Sequence, residues 1–338
     1  MRRQRVVLFV TLTNGGVTMR RLCAVAVALL IMWTFLFGQP FERPQIEVHL
    51  QKLQAELAAG RYSFTVGYNP ALAFSLDQLC GLREAPDWRK TARQRSISAL
   101  RPAALRAEEE RVSLPASWDW RQHNGVSPVR DQDGCGSCWA FATIASLESV
   151  VLIKQGLVVD LSEQHLVSCN GKGWGCNGGW WAHDLLVSPG AVLEADFPYV
   201  ASDVPCGGPY TFPFRLTSWA YVTGEDRVPP VTTLQQAIYN YGPVSAAVYV
   251  GPFFQAYTGG VFDKDEAPRG GLLSCCPRPV SVNHAVFIIG WDDSKSAWLI
   301  KNSWGTGWGE TCGYGSQGGY MWIKYGVSNI GYAAVVAW

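Results

Sequence analysis

The spacing of apolar residues changes along the chain from a helical to a strand-like pattern. It predicts helices over residues 41–60 and from about Ser137 to Gln155, another after Ser162, and one capped by Thr233-x-x-Gln236 and ended by Gly242-Pro243. Strands are then predicted over residues 244–250, 285–291, 297–302, 320–324 and 333–337. This order predicts an α+β fold with a helical lobe against a strand-rich, barrel-like lobe and a cleft between them.

Two early segments carry their own predictions. The first helix would present an apolar stripe, namely Val48, Leu50, Leu53 and Leu57. Residues 85–111 are rich in Arg, Ala and Glu, and the stretch from Arg106 to Arg111 predicts a solvated, cleavable linker.

Charge divides the chain near Leu114. The 338 residues carry a net charge of +1, but residues 1–114 hold 16 Lys and Arg against 9 Asp and Glu, while residues 115–338 hold 12 against 18. An acidic second part without basic runs argues against nucleic acid as a partner. The 48% hydrophobic, 16% charged composition excludes a disordered or fibrous chain.

An arginine-rich start precedes an apolar run of 16 residues over residues 22–37. This order is typical of an export signal, so the chain after it is expected outside the cytosol. The length lies between a secretory signal and a membrane span, which leaves open a cleaved signal or a retained anchor that tethers the protein to a membrane.

Cys138 lies at the start of the predicted helix at residues 137–155. The positive end of a helix dipole lowers the pKa of a thiol there and makes it a good nucleophile. Cys135 and Cys138 also form a C-x-x-C pair, as in dithiol redox sites or half a zinc site. The chain has no second C-x-x-C pair and no thioredoxin-like strand before the first, so neither a metal nor another cofactor is expected.

His284 begins a predicted strand, and Asn302 ends the next one. If these strands are neighbours, the Asn302 side-chain oxygen can hold one imidazole nitrogen so that the other faces the Cys138 thiol. A histidine beside a strand is more often structural, and it is the combination of the three residues that predicts a site.

These blocks together resemble the papain family of cysteine peptidases, and more the cathepsin L-like than the cathepsin B-like members. The resemblance runs from Leu114 to the carboxyl terminus. The matching blocks, in order, are Leu114-Pro-Ala-Ser-Trp-Asp-Trp-Arg121, the segment from Gln132 to Phe141, Leu161-Ser-Glu-Gln164, Cys176-Asn-Gly-Gly179, Asn283-His284-Ala285 and Asn302-Ser-Trp-Gly-Thr-Gly-Trp-Gly309.

The resemblance implies a papain-like endopeptidase. Cys138 would attack the peptide carbonyl, His284 would pair with the thiolate and protonate the leaving amine, and Asn302 would orient His284. Trp304 would shield that hydrogen bond from water. Gln132 would donate to the oxyanion together with the backbone N–H of Cys138.

Substrate binding is implied at Gly178 and Gly179, where no Cβ keeps the substrate backbone away. Trp180 and Trp181 follow, either as part of a pocket for an apolar substrate residue or as ordinary core residues. No long occluding loop of the cathepsin B type comes after Gly179, which favours an endopeptidase over an exopeptidase.

The domain organisation implied is that of a zymogen that acts on polypeptides in a secreted or a lysosomal or vacuolar compartment. Residues 1–39 would be the signal or anchor, residues 40–113 an inhibitory pro-region, and residues 114–338 the peptidase domain, with lobes at about 115–225 and 226–338. The implied disulfides are Cys135–Cys176, Cys169–Cys206 and a displaced third one between Cys312 and either Cys275 or Cys276.

Two alternatives come from other classes of protein. A catalytically silent homologue would serve as a binding protein, although it would have no reason to keep all four catalytic-type residues. A dithiol oxidoreductase would need Cys135 free beside Cys138, whereas the peptidase ties Cys135 to Cys176.

Overall fold

The structure is a computed structural model that describes residues 43–100, 113–268 and 281–338. The predicted export segment over residues 22–37 and the Arg106-to-Arg111 stretch lie outside the described residues.

Helices dominate the described chain up to residue 187, and strands dominate after it. The helices are Arg43–Ala59 (α1), Leu76–Leu79 (α2), Trp88–Gln94 (α3), Ile97–Leu100 (α4), Cys138–Gln155 (α5), Glu163–Cys169 (α6), His183–Val187 (α7), Val231–Tyr241 (α8) and Pro252–Gln255 (α9). The strands are Phe64–Val66 (β1), Ser117–Asp119 (β2), Trp219–Tyr221 (β3), Val244–Val248 (β4), Tyr257–Phe262 (β5), His284–Asp292 (β6), Ala297–Lys301 (β7), Tyr320–Lys324 (β8) and Tyr332–Ala337 (β9).

The strands join into one sheet in the order β1-β5-β8-β7-β6-β4-β9-β3, and β2 pairs with β6. The β5–β8 pair is parallel, and the other pairs are antiparallel. β6 lies between β4 and β7, which places His284 opposite Val248 and near the end of β7. The five strands predicted after residue 243 are all present, and the α+β class is confirmed.

Helix α5 runs through the core and carries the predicted nucleophile at its first residue. It begins after the N-cap Ser137 and ends at Gly156, whose φ of 69° is the left-handed conformation that suits glycine at a helix end. All residues from Cys138 to Ser149 are buried, so the helix has no solvated face over its first three turns. It is long and apolar enough to cross a membrane, but it is a core helix packed against β4, β6 and β9.

Helix α1 packs onto the body with a different stripe from the predicted one. Ile46, Leu50 and Leu53 are buried, whereas Val48 is 67% exposed, so its inclusion in the stripe was wrong. Positions i, i+4 and i+7 lie on one face of a helix, and Val48 lies between them. Strand β1 follows this helix and pairs with β5 of the body.

Helix α3, in the segment rich in Arg, Ala and Glu, is packed rather than solvated. Trp88 and Ala92 of α3 are 2% and 0% exposed. The Trp88 ring contacts Trp180 at 5.5 Å and Tyr332 at 5.3 Å between centroids. Burial of a large aromatic side chain therefore outweighs the polar composition around it, and the linker predicted from Arg106 to Arg111 stays a prediction.

Helix α8 begins two residues before the position that the capping pattern indicated. Its N-cap is Pro230 and no side chain caps it, so Thr233 lies inside the first turn. The helix ends as predicted at Tyr241, followed by Gly242 with a φ of 104°.

Candidate active site

Cys138 is fully buried at the start of α5, beside a disulfide that fixes the preceding loop. Cys135 pairs with Cys176 at a Cα–Cα distance of 4.6 Å, and Cys169 pairs with Cys206 at 4.9 Å. Both disulfides were predicted. Because Cys135 is oxidised with Cys176, it is not free to form a dithiol with Cys138, which argues against the oxidoreductase alternative.

His284 and Asn302 meet across the β6–β7 pair. His284 Nε2 lies 2.8 Å from Asn302 Oδ1. The backbone N–H of Ser303 also donates to Oδ1, at 2.9 Å, which fixes the orientation of the amide. Because Oδ1 only accepts, Nε2 carries the proton and Nδ1 is left with a lone pair. Nδ1 is buried and makes no hydrogen bond.

Trp304 covers this pair from solvent. Its ring lies 4.8 Å from the His284 ring, and the residue is 2% exposed. An interaction in a water-excluded environment is stronger than the same interaction in water, so this packing stabilises the His284–Asn302 geometry.

Both the oxygen and the nitrogen of the Gln132 side-chain amide are hydrogen-bonded. Its Oε1 accepts from the Ser303 hydroxyl at 2.7 Å, and its Nε2 donates to the carbonyl of Cys135 at 2.8 Å. The second Nε2 donor reaches the carbonyl of Leu79 at 2.9 Å. Ser303 was not singled out in the sequence, although it lies between Asn302 and Trp304. It bonds both Gln132 and Asn302, and so it links two predicted site residues.

Residues 79–83 lie across the site, and we call them the covering segment. Gly179 N donates to Gly81 O at 2.9 Å, and Arg83 N donates to Gly179 O at 2.8 Å. Leu82 N donates to the Asn283 carbonyl at 2.9 Å. This extended pairing occupies Gly179, one of the two glycines predicted to bind substrate backbone, whereas the backbone of Gly178 pairs with Gly175.

The two glycines are required by their surroundings. Gly178 has a φ of +117°, and a Cβ there would lie 2.5 Å from the Gly81 carbonyl oxygen. A Cβ on Gly179 would lie 2.7 Å from the Trp139 ring. Any larger residue would push an extended chain out of the cleft.

Burial under the covering segment reverses the expected ionisation of the site. Burial raises the pKa of the Cys138 thiol to about 11, although the backbone N–H groups of Ala285, Gly81 and Trp139 act in the other direction. Burial also lowers the pKa of His284 to about 4, although the hydrogen bond that its Nε2 donates to Asn302 acts in the other direction. The expectation of a depressed thiol pKa was therefore wrong for this covered state, where thiol and imidazole are both neutral at neutral pH.

Trp180 and Trp181 are core residues in this structure, at 3% and 5% exposure. Their indole nitrogens donate to the Tyr221 hydroxyl at 3.1 Å and to the Ala333 carbonyl at 3.0 Å. Trp180 also packs against Trp88 of the segment before Leu114.

The third disulfide is not formed by Cys312 in the structure. Cys312 carries a free thiol and packs against an apolar cluster that includes Phe287 and Leu299. Cys275 and Cys276 lie outside the described residues.

Comparison with known proteins decides the family. The model of the papain family cysteine proteases matches residues 114–336. The chain belongs to this family. Fruit bromelain of Ananas comosus is 36% identical over 225 residues, which are 64% of this chain and 57% of bromelain. Zingipain-2 of Zingiber officinale is 38% identical over 205 residues, 59% of this chain and 85% of that protein.

Solved structures of the papain family extend the likeness to the segment before Leu114. Digestive procathepsin L2 from the larval midgut of Tenebrio molitor superposes with a TM-score of 0.70 at 26% identity, covering 92% of this chain and 99% of that one. A Carica candamarcensis cysteine protease in complex with E-64 gives a TM-score of 0.52 at 34% identity, covering 66% and 98%. The cathepsin L-like character is therefore confirmed. The chain spans little more than half the length of fruit bromelain.

Proposed function

We propose that this chain is a papain-like cysteine endopeptidase, made as a zymogen and acting on polypeptides. The observation that carries the proposal is the buried His284, whose Nε2 lies 2.8 Å from Asn302 Oδ1 and whose Nδ1 has no hydrogen-bond partner. The next residue, Ala285, directs its backbone N–H at the sulfur of Cys138, a free cysteine at a helix start. A family member that hydrolyses peptides needs this combination of nucleophile, base and orienting group.

In the uncovered enzyme, Cys138 would transfer its proton to His284 Nδ1. The helix start and the backbone N–H groups of Ala285 and Trp139 then favour the thiolate once solvent replaces the covering segment. The thiolate attacks the scissile carbonyl carbon, and the imidazolium protonates the departing amine. Water next attacks the acyl-enzyme, with His284 as base, and releases the acid and the thiol. Asn302 keeps the ring oriented through both steps.

Gln132 would stabilise the oxyanion. Its Nε2 donates to the carbonyl of Leu79, the last residue of α2, and this contact supports a role as donor to a carbonyl oxygen. The backbone N–H of Cys138 is the second donor of the proposed oxyanion hole. Gly178 and Gly179 would pair with the substrate backbone as Gly179 pairs with residues 81 and 83 here.

We further propose that residues 40–113 form a pro-region that inhibits the enzyme until it is cut near Arg111 to Leu114. The covering segment fills the cleft, but the group near the Cys138 sulfur is the N–H of Gly81, which is not an electrophile. A segment bound in this way blocks substrate without being cleaved. The proenzyme structures that superpose on the chain support this organisation.

An oxidising compartment suits the enzyme, because two disulfides fix its helical lobe. We therefore propose that it works in the secretory route or in a lysosomal or vacuolar compartment. A tether through residues 22–37 is part of this proposal and depends on whether that segment is retained.

The test is covalent labelling with E-64, the inhibitor bound to the Carica protease. We expect the acid-processed chain to take up one label on Cys138 and to hydrolyse a dipeptidyl-coumarin substrate. Cys138→Ala should lose both, whereas Cys312→Ser, which changes another free thiol, should keep both. Hydrolysis that survives Cys138→Ala would refute the mechanism. A processed chain that folds but neither hydrolyses nor reacts would favour the silent, substrate-binding homologue.

A further inference from the structure

A tyrosine outside the predicted site residues bridges both ends of the loop that carries the proposed oxyanion donors. This loop runs from Gln132, whose Nε2 is one proposed donor, to Cys138, whose backbone N–H is the other. The hydroxyl oxygen of Tyr199 lies 2.9 Å from the carbonyl oxygen of Gln132 and 2.6 Å from Oγ of Ser137. One side chain therefore contacts the first donor residue and the residue directly before the second.

The proton positions in this bridge follow from the groups involved. A carbonyl oxygen only accepts, so the Tyr199 hydroxyl donates to Gln132. Because a tyrosine has one hydroxyl proton, Ser137 supplies the proton of the 2.6 Å contact. The contact of 3.4 Å from Ser137 Oγ to the Cys135 carbonyl is longer and therefore weaker. Burial raises the pKa of Tyr199, which keeps the donating proton in place at neutral pH.

Ser137 is the N-cap residue of α5, but its side chain does not cap the helix. An N-cap serine usually accepts from the second or third N–H of its helix, and the Ser137 side chain makes no such bond. Its hydroxyl contacts Tyr199 instead. The bridge to Tyr199 thus replaces the usual role of a serine at this position.

Tyr199 is itself fixed from two sides. Its backbone N–H donates to Glu194 Oε1 at 2.7 Å, and the N–H of Val200 donates to Gln164 Oε1 at 3.0 Å. Its ring packs edge-on against Phe141, in the first turn of α5, with 4.9 Å between centroids. The backbone bonds and the ring packing together place the hydroxyl at the loop.

The Tyr199 contact completes the support of Gln132. On the strand side, the N–H of Gln132 donates to the Ser303 carbonyl at 2.8 Å, and its Oε1 accepts from the Ser303 hydroxyl. Tyr199 holds the carbonyl of the same residue from the helical side. Gln132 and Ser137 are both 0% exposed, and hydrogen bonds are stronger where water is excluded.

We propose that Tyr199 is a positioning residue of the oxyanion hole, which keeps its two donors at the spacing that the tetrahedral intermediate requires. This inference rests on the proposed function, because Gln132 and the Cys138 N–H must be the donors. Tyr199 acts through the loop and not by touching substrate. Oxyanion donors stabilise the transition state more than the bound substrate, so a loss of their spacing lowers kcat and leaves KM nearly unchanged.

The experiment compares the processed wild type with Tyr199→Phe, which keeps the ring against Phe141 and loses only the hydroxyl. We expect kcat for the coumarin substrate to fall about 10-fold, less than the roughly 10²- to 10³-fold that follows removal of an oxyanion donor. The rate of Cys138 alkylation by iodoacetamide should stay near that of wild type, since this reaction develops no oxyanion. Tyr314→Phe, at a tyrosine that is 43% exposed, is the matched control and should equal wild type in both assays.

A double-mutant comparison separates positioning from a general structural role. If Tyr199 acts through the oxyanion donors, Tyr199→Phe should lower kcat less in a Gln132→Ala background than in wild type, because one donor is already lost. Ser137→Ala breaks the other contact of the bridge and should lower kcat in the same direction. It carries the test if Tyr199→Phe does not fold.

An unchanged kcat in Tyr199→Phe would overturn the proposal, and so would an unchanged kcat in Ser137→Ala if only that variant folds. A fall in the alkylation rate parallel to that in kcat would also overturn it, as would an undiminished effect in the Gln132→Ala background. Failure of the proposed function is distinguishable. In that case wild type itself would not hydrolyse the coumarin substrate, whereas failure of this inference leaves wild type active.

Discussion

The strand side and the helix side of the site are held in different ways. On the strand side, His284, Asn302 and Gln132 are fixed by hydrogen bonds of 2.7 to 2.9 Å within the part of the chain after residue 113. On the helix side, Cys138 is fully buried with the covering segment in place, and this burial raises its pKa to about 11. The geometry of the site is thus built into the body, whereas the charge of its thiol is set by what covers it.

We expect the largest effect on activity from a substitution on the strand side. Asn302→Ala should lower kcat of the processed chain by roughly 10²- to 10⁴-fold, because His284 loses the acceptor that fixes its tautomer. Hydrolysis of the coumarin substrate measures this change. Asn240→Ala, on α8 away from the site, is the control. An unchanged kcat would mean that the 2.8 Å contact has no role in orienting the base.

On the helix side, the reactivity of Cys138 should change when the covering segment is mutated. Gly81→Ala places a Cβ 1.7 Å from the Gly136 carbonyl, and such overpacking costs about 1–3 kcal/mol. We expect the unprocessed variant to react with E-64 faster than wild type at neutral pH. Gly67→Ala is the matched control in the same region, since its nearest atom would be a Thr258 methyl at 3.2 Å. Equal labelling rates for Gly81→Ala and wild type would mean that the covering segment does not control the reactivity of the Cys138 thiol.

The smallest effect is expected at Asp226, which accepts a hydrogen bond from Arg89 of α3. Burial tends to raise the pKa of Asp226, but hydrogen bonds from Arg89 and Tyr332 outweigh it and hold the pKa below its usual range. The ionised carboxylate therefore helps to hold α3 at neutral pH, and that help is lost as the pH falls through the lowered pKa.

For this exposed pair the contribution is about 0–1 kcal/mol. Asp226→Asn lacks it at every pH, so processing of this variant should begin at a slightly higher pH than that of wild type. Gel analysis across a pH series measures this onset. Glu225→Gln, at the neighbouring position, should leave the onset in place. If processing of Asp226→Asn began at a lower pH than that of wild type, the proposed role of the Asp226 carboxylate would be contradicted.

Most of the site could be predicted from the sequence, because its residues stand at the ends of strongly patterned elements. Cys138 opens a long apolar helix, and His284 and Asn302 flank two buried strands that are consecutive in the chain. Consecutive strands pair often, so their contact followed from local patterns. Ser303 was missed because a serine between two singled-out residues carries no pattern of its own.

The covering segment could not be predicted in this way. Residues 79–83 reach the cleft through backbone hydrogen bonds, which any sequence can make, and Gly81 becomes meaningful only when Gly136 is beside it. Strands β1 and β5 were also not predicted, because β1 is only three residues long and β5 contains Gly259 and Gly260. The burial of Trp88 could not be predicted either, because it depends on partners far away in the chain.

The rate of Cys138 alkylation by iodoacetamide tests the central claim most directly. It is measured against pH in the unprocessed chain and in the processed chain after release of the pro-region. We predict that the unprocessed chain reacts slowly at neutral pH, with a rate that rises toward the thiol pKa of about 11. The processed chain should reach its plateau already below neutral pH. Identical profiles, with fast alkylation of the unprocessed chain at neutral pH, would contradict the account.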